Sequence, residues 1–200
     1  MACRFQTEII KLLAFLILMF LLVGCHSPVK APESLHYDTS KLKSGDIILR
    51  KGFGLISEIV VIKLKDTLDI SHCGIIHIDN TGKINVIHSL SKKVSDFDGV
   101  QTCTLKYFME DSKTESVRIL RFRNDSNSII IKKALYYLRH QTPFDEKFDE
   151  KDTTAFFCSE FPIHIIKSGF NIDISNGASI PKFSLFLNKD YFDEIEFVVR

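Results

Sequence analysis

The sequence predicts an α+β domain, and three observations carry that reading. Short β-branched runs bounded by glycine gather early in the chain. Segments with helical periodicity stand apart from them, around residues 124–144 and 158–168. The regular strand-helix alternation of a doubly wound sheet is missing. The chain also carries no internal repeat and no low-complexity tract.

The elements follow in order. "LKSGDIILRKG" places Ile47-Ile48 between Gly45 and Gly52, which predicts a strand. "FGLISEIVVIKL" is compatible with a short helix. In "DISHCGIIHIDNTGKINVIHSLS", two apolar runs flank Asp79-Asn80-Thr81-Gly82, a β-hairpin pattern. "SVRILRF" reads as a further strand. "NDSNSIIIKKALYYLRHQTPF" reads as a helix capped by Asn127 or Ser128, with Ile130, Ala134, Leu135 and Leu138 on one face and Pro143 beyond its end. A second helix over 158–168 is expected to stop at Gly169. "EIEFVV" reads as a last strand.

The N-terminus is a targeting segment. Arg4 and Lys11 precede an apolar stretch from Leu12 that is short for a span of about 20 residues and ends in Leu22-Val23-Gly24-Cys25. This reads as a secretory signal over residues 1–24, with an uncleaved N-terminal anchor as the competing reading, and its ending resembles the lipobox of bacterial lipoproteins. The resemblance implies cleavage before Cys25, lipidation of that cysteine and attachment to a membrane in the bacterial cell envelope. Residues 25–40 then form a tether with two prolines, and residues 41–200 form one domain. Removing Arg4, Lys11 and Glu8 from the 26 basic and 25 acidic residues leaves equal numbers of each sign. That balance offers nothing to attract nucleic acid.

Three cysteines remain after the signal and the anchor: Cys73, Cys103 and Cys158. An odd count leaves one unpaired, and a Cys73–Cys103 disulfide stays open. No Cys/His spacing suggests a metal. Cys158 sits four residues before Pro162. Proline is tolerated only in a helix's first turn, so the helix cannot begin much before Ser159. Cys158 is therefore expected at or beside the N-cap, where unpaired N–H groups favour a thiolate and could receive an oxyanion. The competing reading is a buried thiol packed by Phe156, Phe157 and Phe161.

A thiol nucleophile needs a base, and the base needs an orienting group. Strand alternation puts His72, Gly74 and Ile76 on one face and Cys73, Ile75 and His77 on the other. Counting through the turn sets His88 roughly across from His72. His77, His140 and His164 read as structural or surface histidines.

The ordered set "LKSGDIILRKG", "ISHCGIIHI", "PFDEKFD" and "FFCSEF" resembles the permuted papain-like amidases of the YiiX/YaeF type, relatives of NlpC-type peptidoglycan peptidases. The resemblance covers about residues 42 to 170. It implies an antiparallel sheet or small barrel packed against helices, with the nucleophilic cysteine at a helix N-terminus. It implies Cys158 as nucleophile, His72 as general base and His88 as the orienting third residue, where glutamate is usual in this group. Asp46 matches a turn or supporting position, Asp145 and Phe148 match residues lining the cleft, and Glu160 matches a support of the cysteine helix. No cofactor or metal is implied.

Three functions are therefore expected, in descending order. The first is a lipid-anchored thiol hydrolase cleaving an amide bond, with a peptidoglycan stem peptide as the natural substrate. The second is an acyltransferase or thioesterase acting on lipid acyl groups. The third is a lipoprotein without catalysis that binds peptide or lipid in the same cleft.

Overall fold

The structure is a computed structural model that describes residues 37–149, 152–175, 177–178 and 180–197. The expected export signal, Cys25 and the expected tether up to residue 36 lie outside the described residues. Six strands form one sheet: β1 (Ile47–Arg50), β2 (His72–Ile78), β3 (Ile84–Leu90), β4 (Gly99–Thr104), β5 (Arg118–Phe122) and β6 (Phe192–Ile195). Their order is β4-β3-β2-β1-β5-β6, and every neighbouring pair is antiparallel. Four helices accompany it: α1 (Gly54–Leu64), α2 (Leu105–Glu110), α3 (Ile129–Arg139) and α4 (Glu160–Phe170). Short 3₁₀ turns occupy Thr114–Ser116 and Phe183–Leu187.

The two faces of the sheet bury separate cores, as the period-2 pattern of the strands requires. Ile47, Leu49, Cys73, Ile75, Ile87 and Leu120 pack with Ile130 and Ala134 of α3 and Phe161, Ile165 and Ile166 of α4. On the other face, Ile48, Ile76, Val86 and Ile119 pack under Leu105, Phe108 and Met109 of α2. Strand β1 is covered on both sides, so all four of its residues are buried, including Arg50. The expected α+β architecture is observed.

Several local expectations need correction. Helix α3 does take its N-cap at Ser128, one of the two expected positions, but in the left-handed region at φ 55 and without a side-chain bond. Asp125 Oδ1 instead accepts from Ile129 N at 2.6 Å and Ile130 N at 3.4 Å, because the left-handed turn swings the earlier carboxylate onto the helix start. Helix α4 does not stop at Gly169 but runs to Phe170, with Asn171 as the left-handed cap at φ 57. Gly169 instead lets the two helices approach, since a Cβ there would lie 2.8 Å from Ile129 Cγ2. The final strand begins at Phe192, earlier than "EIEFVV". Strand β4 and helix α2 were not expected at all.

Helix α1 is unusual in burying none of its residues. Val60 and Leu64 touch the larger core from its edge, while Phe53, Leu55, Ile56, Ile59 and Ile62 are exposed, Leu55 by 74%. Among the described residues, no helix is long and apolar enough to cross a membrane.

Candidate active site

His72 opens β2, and His88 lies near the end of β3. The strand register pairs Ile75 with Ile87 and Ile76 with Val86, which sets Gly74 across from His88 and His72 diagonal to it. The missing side chain at Gly74 makes room: a Cβ there would meet Val86 Cγ1 at 2.4 Å and His88 Cβ at 3.2 Å. Across that gap, His72 Nε2 and His88 Nδ1 share a hydrogen bond of 2.8 Å. Both rings are buried, and Phe108 lies against both, at 5.7 Å from His72 and 5.8 Å from His88 between ring centroids.

This bond decides which atom of His72 can act. With Nε2 engaged, Nδ1 is the nitrogen left to take a proton. In the base-competent tautomer His72 donates Nε2–H to His88 Nδ1 and keeps a lone pair on Nδ1. Burial, then the neighbouring His88 and Arg50, hold His72 well below the ordinary histidine value. His88 falls to about 3, through burial and then Arg50. Both imidazoles are therefore neutral at rest.

Cys158 stands immediately before the N-cap Ser159 of α4, where Pro162 allows the helix to begin. Pro162 has no N–H to give the carbonyl four residues back. That carbonyl, of Cys158, accepts instead from the Cys73 thiol at 3.0 Å. Of the N–H groups at the helix start, that of Phe157 is taken by Glu160 Oε2 at 3.2 Å, while those of Cys158 and Ser159 face the Cys158 sulfur. They pull toward the thiolate, as does Arg50, yet burial outweighs them and pushes the thiol up to about 11. The expected helix-terminus stabilisation thus acts in the expected direction and is overridden, leaving a protonated thiol at rest.

The sequence-predicted residues are brought together unevenly. His72 and His88 meet directly. Cys158 is half-buried beside β2, and no hydrogen bond joins its sulfur to His72 among the described residues. Asp46 is buried and serves the turn before β1, accepting from Lys43 N at 2.7 Å and pairing with Arg121 at 2.7 Å. It lines a different cavity, with Arg121 and Arg123. Asp145 is buried and orders its own loop by accepting from Lys147 N and Asp149 N. Phe148 packs on Phe157 next to the cysteine, at 5.3 Å. Glu160 is buried. His164 bonds the Tyr137 hydroxyl and His140 the Tyr136 carbonyl, both as structural histidines.

Arg50 was missed by the sequence reading. An arginine that ends a fully apolar strand is a buried charge, and that was the available signal. It pairs across the sheet with His72, stacks over Phe108 at 4.6 Å and holds Asp111 by a 2.7 Å ion pair and a bond to its main-chain carbonyl. Its Nε is buried and has no acceptor among the described residues, a cost on the order of 1–3 kcal/mol in a folded chain. Arg50, His88, Gln101, Cys103, Tyr107 and Asp111 line a cavity of about 250 Å³. Cys73, Cys103 and Cys158 are all free thiols, which settles the open disulfide: Cys73 lies in one core and Cys103 against the other.

The architecture defines a class: an α+β domain with an all-antiparallel sheet between helices, bearing a histidine pair at its strand ends and a cysteine ahead of a packed helix. Among solved structures, the chain is similar to YiiX from Escherichia coli O157:H7, described as a metalloprotein, at 16% identity and a TM-score of 0.59, covering 77% of this chain and 96% of that one. At that identity the likeness is one of fold. No family profile matches the chain, and no curated protein does. A metal does not fit the histidine pair here, because the facing nitrogens bond each other and no group of three His, Cys, Asp or Glu ligands forms among the described residues.

Proposed function

We propose that the chain is a cysteine hydrolase of the permuted papain-like type that cleaves an amide bond. The observation that carries this reading is the 2.8 Å His72–His88 bond, which holds His72 in one orientation and leaves Nδ1 as its basic atom. Substrate binding brings the Cys158 sulfur within reach of Nδ1, since catalytic hydrogen bonds often tighten only in the enzyme–substrate complex. The thiol proton passes to Nδ1, and the sulfur bonds to the carbonyl carbon. The N–H groups of Cys158 and Ser159, which face the sulfur at rest, are the donors offered to the oxyanion as it forms. The imidazolium of His72 then protonates the leaving amine as the C–N bond breaks. Water, deprotonated by the same nitrogen, resolves the thioacyl intermediate.

The lipobox-like ending at Cys25 supports a membrane-anchored enzyme of the cell envelope, with a peptidoglycan stem peptide as substrate. A second reading, hydrolysis or transfer of a lipid acyl group, is favoured by one feature. Helix α1 carries exposed Leu55, Ile56, Ile59 and Ile62 and starts beside the site, where a Cβ on Gly52 would meet Ser57 Oγ and Arg50 Nη1. Incubating the purified domain with muropeptides and, separately, with acylated lipids decides between them. Release of an amine from muropeptides, lost in Cys158→Ala, supports the amidase; release of fatty acid or its transfer supports the second reading. Turnover that survives Cys158→Ala overturns both.

A further inference from the structure

We propose that helix α1 is a non-covalent membrane contact of the domain, lying in the surface of a bilayer that carries anionic lipid. The helix is apolar on two sides. Val60 and Leu64, one turn apart, touch the larger core. On the opposite side Leu55, Ile59 and Ile62 are exposed by 74, 42 and 69%, at the i, i+4, i+7 spacing that aligns side chains in one stripe. Ile56 flanks the stripe and Phe53 precedes the helix, both exposed. An aligned apolar stripe of this kind marks an interaction surface, unlike the single apolar residues scattered over an ordinary exterior. Its 11 residues make a helix about 16 Å long, against a hydrocarbon core of about 30 Å. Such a helix lies along a bilayer and cannot cross one.

Two observations select a lipid surface as the occupant. The first is charge. Glu58, the acid of the helix, is held by Lys51 and Lys113, and Asp69 by Lys51. Asp66, just beyond the helix, accepts from Ser184 N at 3.0 Å. Lys63 and Lys65 are exposed and pair with no carboxylate among the described residues. Lys182 joins them, its Nζ on the Lys65 carbonyl at 3.1 Å. Cations at the end of an apolar stripe are what an anionic headgroup layer attracts. The second is the chain, and this part rests on the anchor proposed at Cys25. Tyr37, where the described domain opens, follows Cys25 by 12 residues, a stretch that spans at most about 40 Å. A domain held so close meets the bilayer at high effective concentration, so a weak surface contact is enough. The tether limits distance and leaves orientation free, whereas α1 fixes orientation. The helix follows directly on the strand end where Arg50 pairs with His72. A bound α1 therefore keeps that end of the site at the lipid surface.

Residues 37–200 form a compact unit of their own, so the chain from residue 26 onward, without the lipid-bearing cysteine, is the protein to test. It is sedimented with vesicles of phosphatidylethanolamine and phosphatidylglycerol and, separately, of phosphatidylcholine alone. Binding is expected to be tighter to the anionic vesicles and to fall with added salt. Leu55→Ser/Ile59→Ser/Ile62→Ser is expected to weaken it about tenfold or more, because binding scales with the apolar area inserted. All three side chains are exposed, and circular dichroism checks that the fold is kept. Lys63→Gln/Lys65→Gln is expected to bind anionic vesicles several-fold more weakly and phosphatidylcholine unchanged. The chain has no tryptophan, so Leu55→Trp supplies a single reporter. Its emission is expected to shift to the blue and to be quenched by brominated acyl chains when vesicles are added. Absence of sedimentation with either vesicle, or binding that survives the triple serine variant, overturns the proposal. So does a blue shift that appears without vesicles as protein concentration rises, which would assign the face to a second copy. None of these readouts needs lipid on Cys25 or turnover. Failure of the anchor or of the hydrolase reading would therefore leave the surface contact to stand or fall on the vesicle result.

Discussion

At the scale of single residues, the site depends on side chains that are absent as much as on those present. Gly74 is the clearest case, because the space it leaves is the space through which His88 reaches His72. Gly74→Ala should push His88 aside and destabilise the fold by about 1–3 kcal/mol, the usual range for overpacking, measurable by urea unfolding. The histidines also make stability depend on pH. His88 lies at about 3 in the fold against 6.5 as a free side chain, so the unfolded chain binds more protons between those values. Stability is then full above about pH 6.5 and falls as pH drops through that window. Lowering pH from about 7 to about 5 should cost more in the parent than in His88→Gln, by about 1–2 kcal/mol. His72 and His88 were legible from alternation and turn counting; Arg50 was not read, although a charge that closes an otherwise apolar strand was a signal of its burial.

At the scale of elements, legibility followed how far each element announces itself. The hairpin did so through its turn, where Asp79 accepts from Thr81 N, the Thr81 hydroxyl and Lys83 N. The start of α4 did so through Pro162. Strand β4, "GVQTCT", alternates polar with small apolar residues and looks like a loop; it is a strand because β3 supplies six paired positions for it. Helix α2 is six residues long and persists through burial of Leu105, Phe108 and Met109 rather than through intrinsic propensity. The α3 cap was narrowed to Asn127 or Ser128, and Ser128 holds it; the Asp125 carboxylate that serves the helix start was missed because capping residues are dense in "NDSNS" and only the backbone at Ser128 selects among them. Asp125→Ala should therefore lower stability by about 1 kcal/mol, while Ser128→Gly, which suits the left-handed cap, should leave it unchanged or slightly raised in thermal unfolding.

At the scale of the molecule, the sheet separates two environments that meet at its strand ends. Cys73 and α4 belong to one core, and Phe108 under the histidines belongs to the other. The site lies at the edge where β1 ends at Arg50 and β2 begins at His72, with Arg50 stacked on Phe108 of the second core. This explains why the sequence placed Cys158 and His72 separately yet not their approach: Cys158 packs against one core and His72 lies on Phe108 of the other, and only the tertiary fold sets how those faces close. The lipid anchor expected at Cys25 adds a prediction for the whole chain, that Cys25→Ala expressed in its host moves from the membrane fraction to the soluble fraction. The most direct test of the central claim is to trap the covalent intermediate. The protein is mixed with an activated acyl ester, quenched in acid within one turnover, and mapped by peptide mass. The account predicts an acyl adduct on the peptide carrying Cys158, strongly reduced in His72→Ala. An adduct on Cys73 or Cys103 instead, or one on Cys158 that forms equally fast without His72, would contradict it.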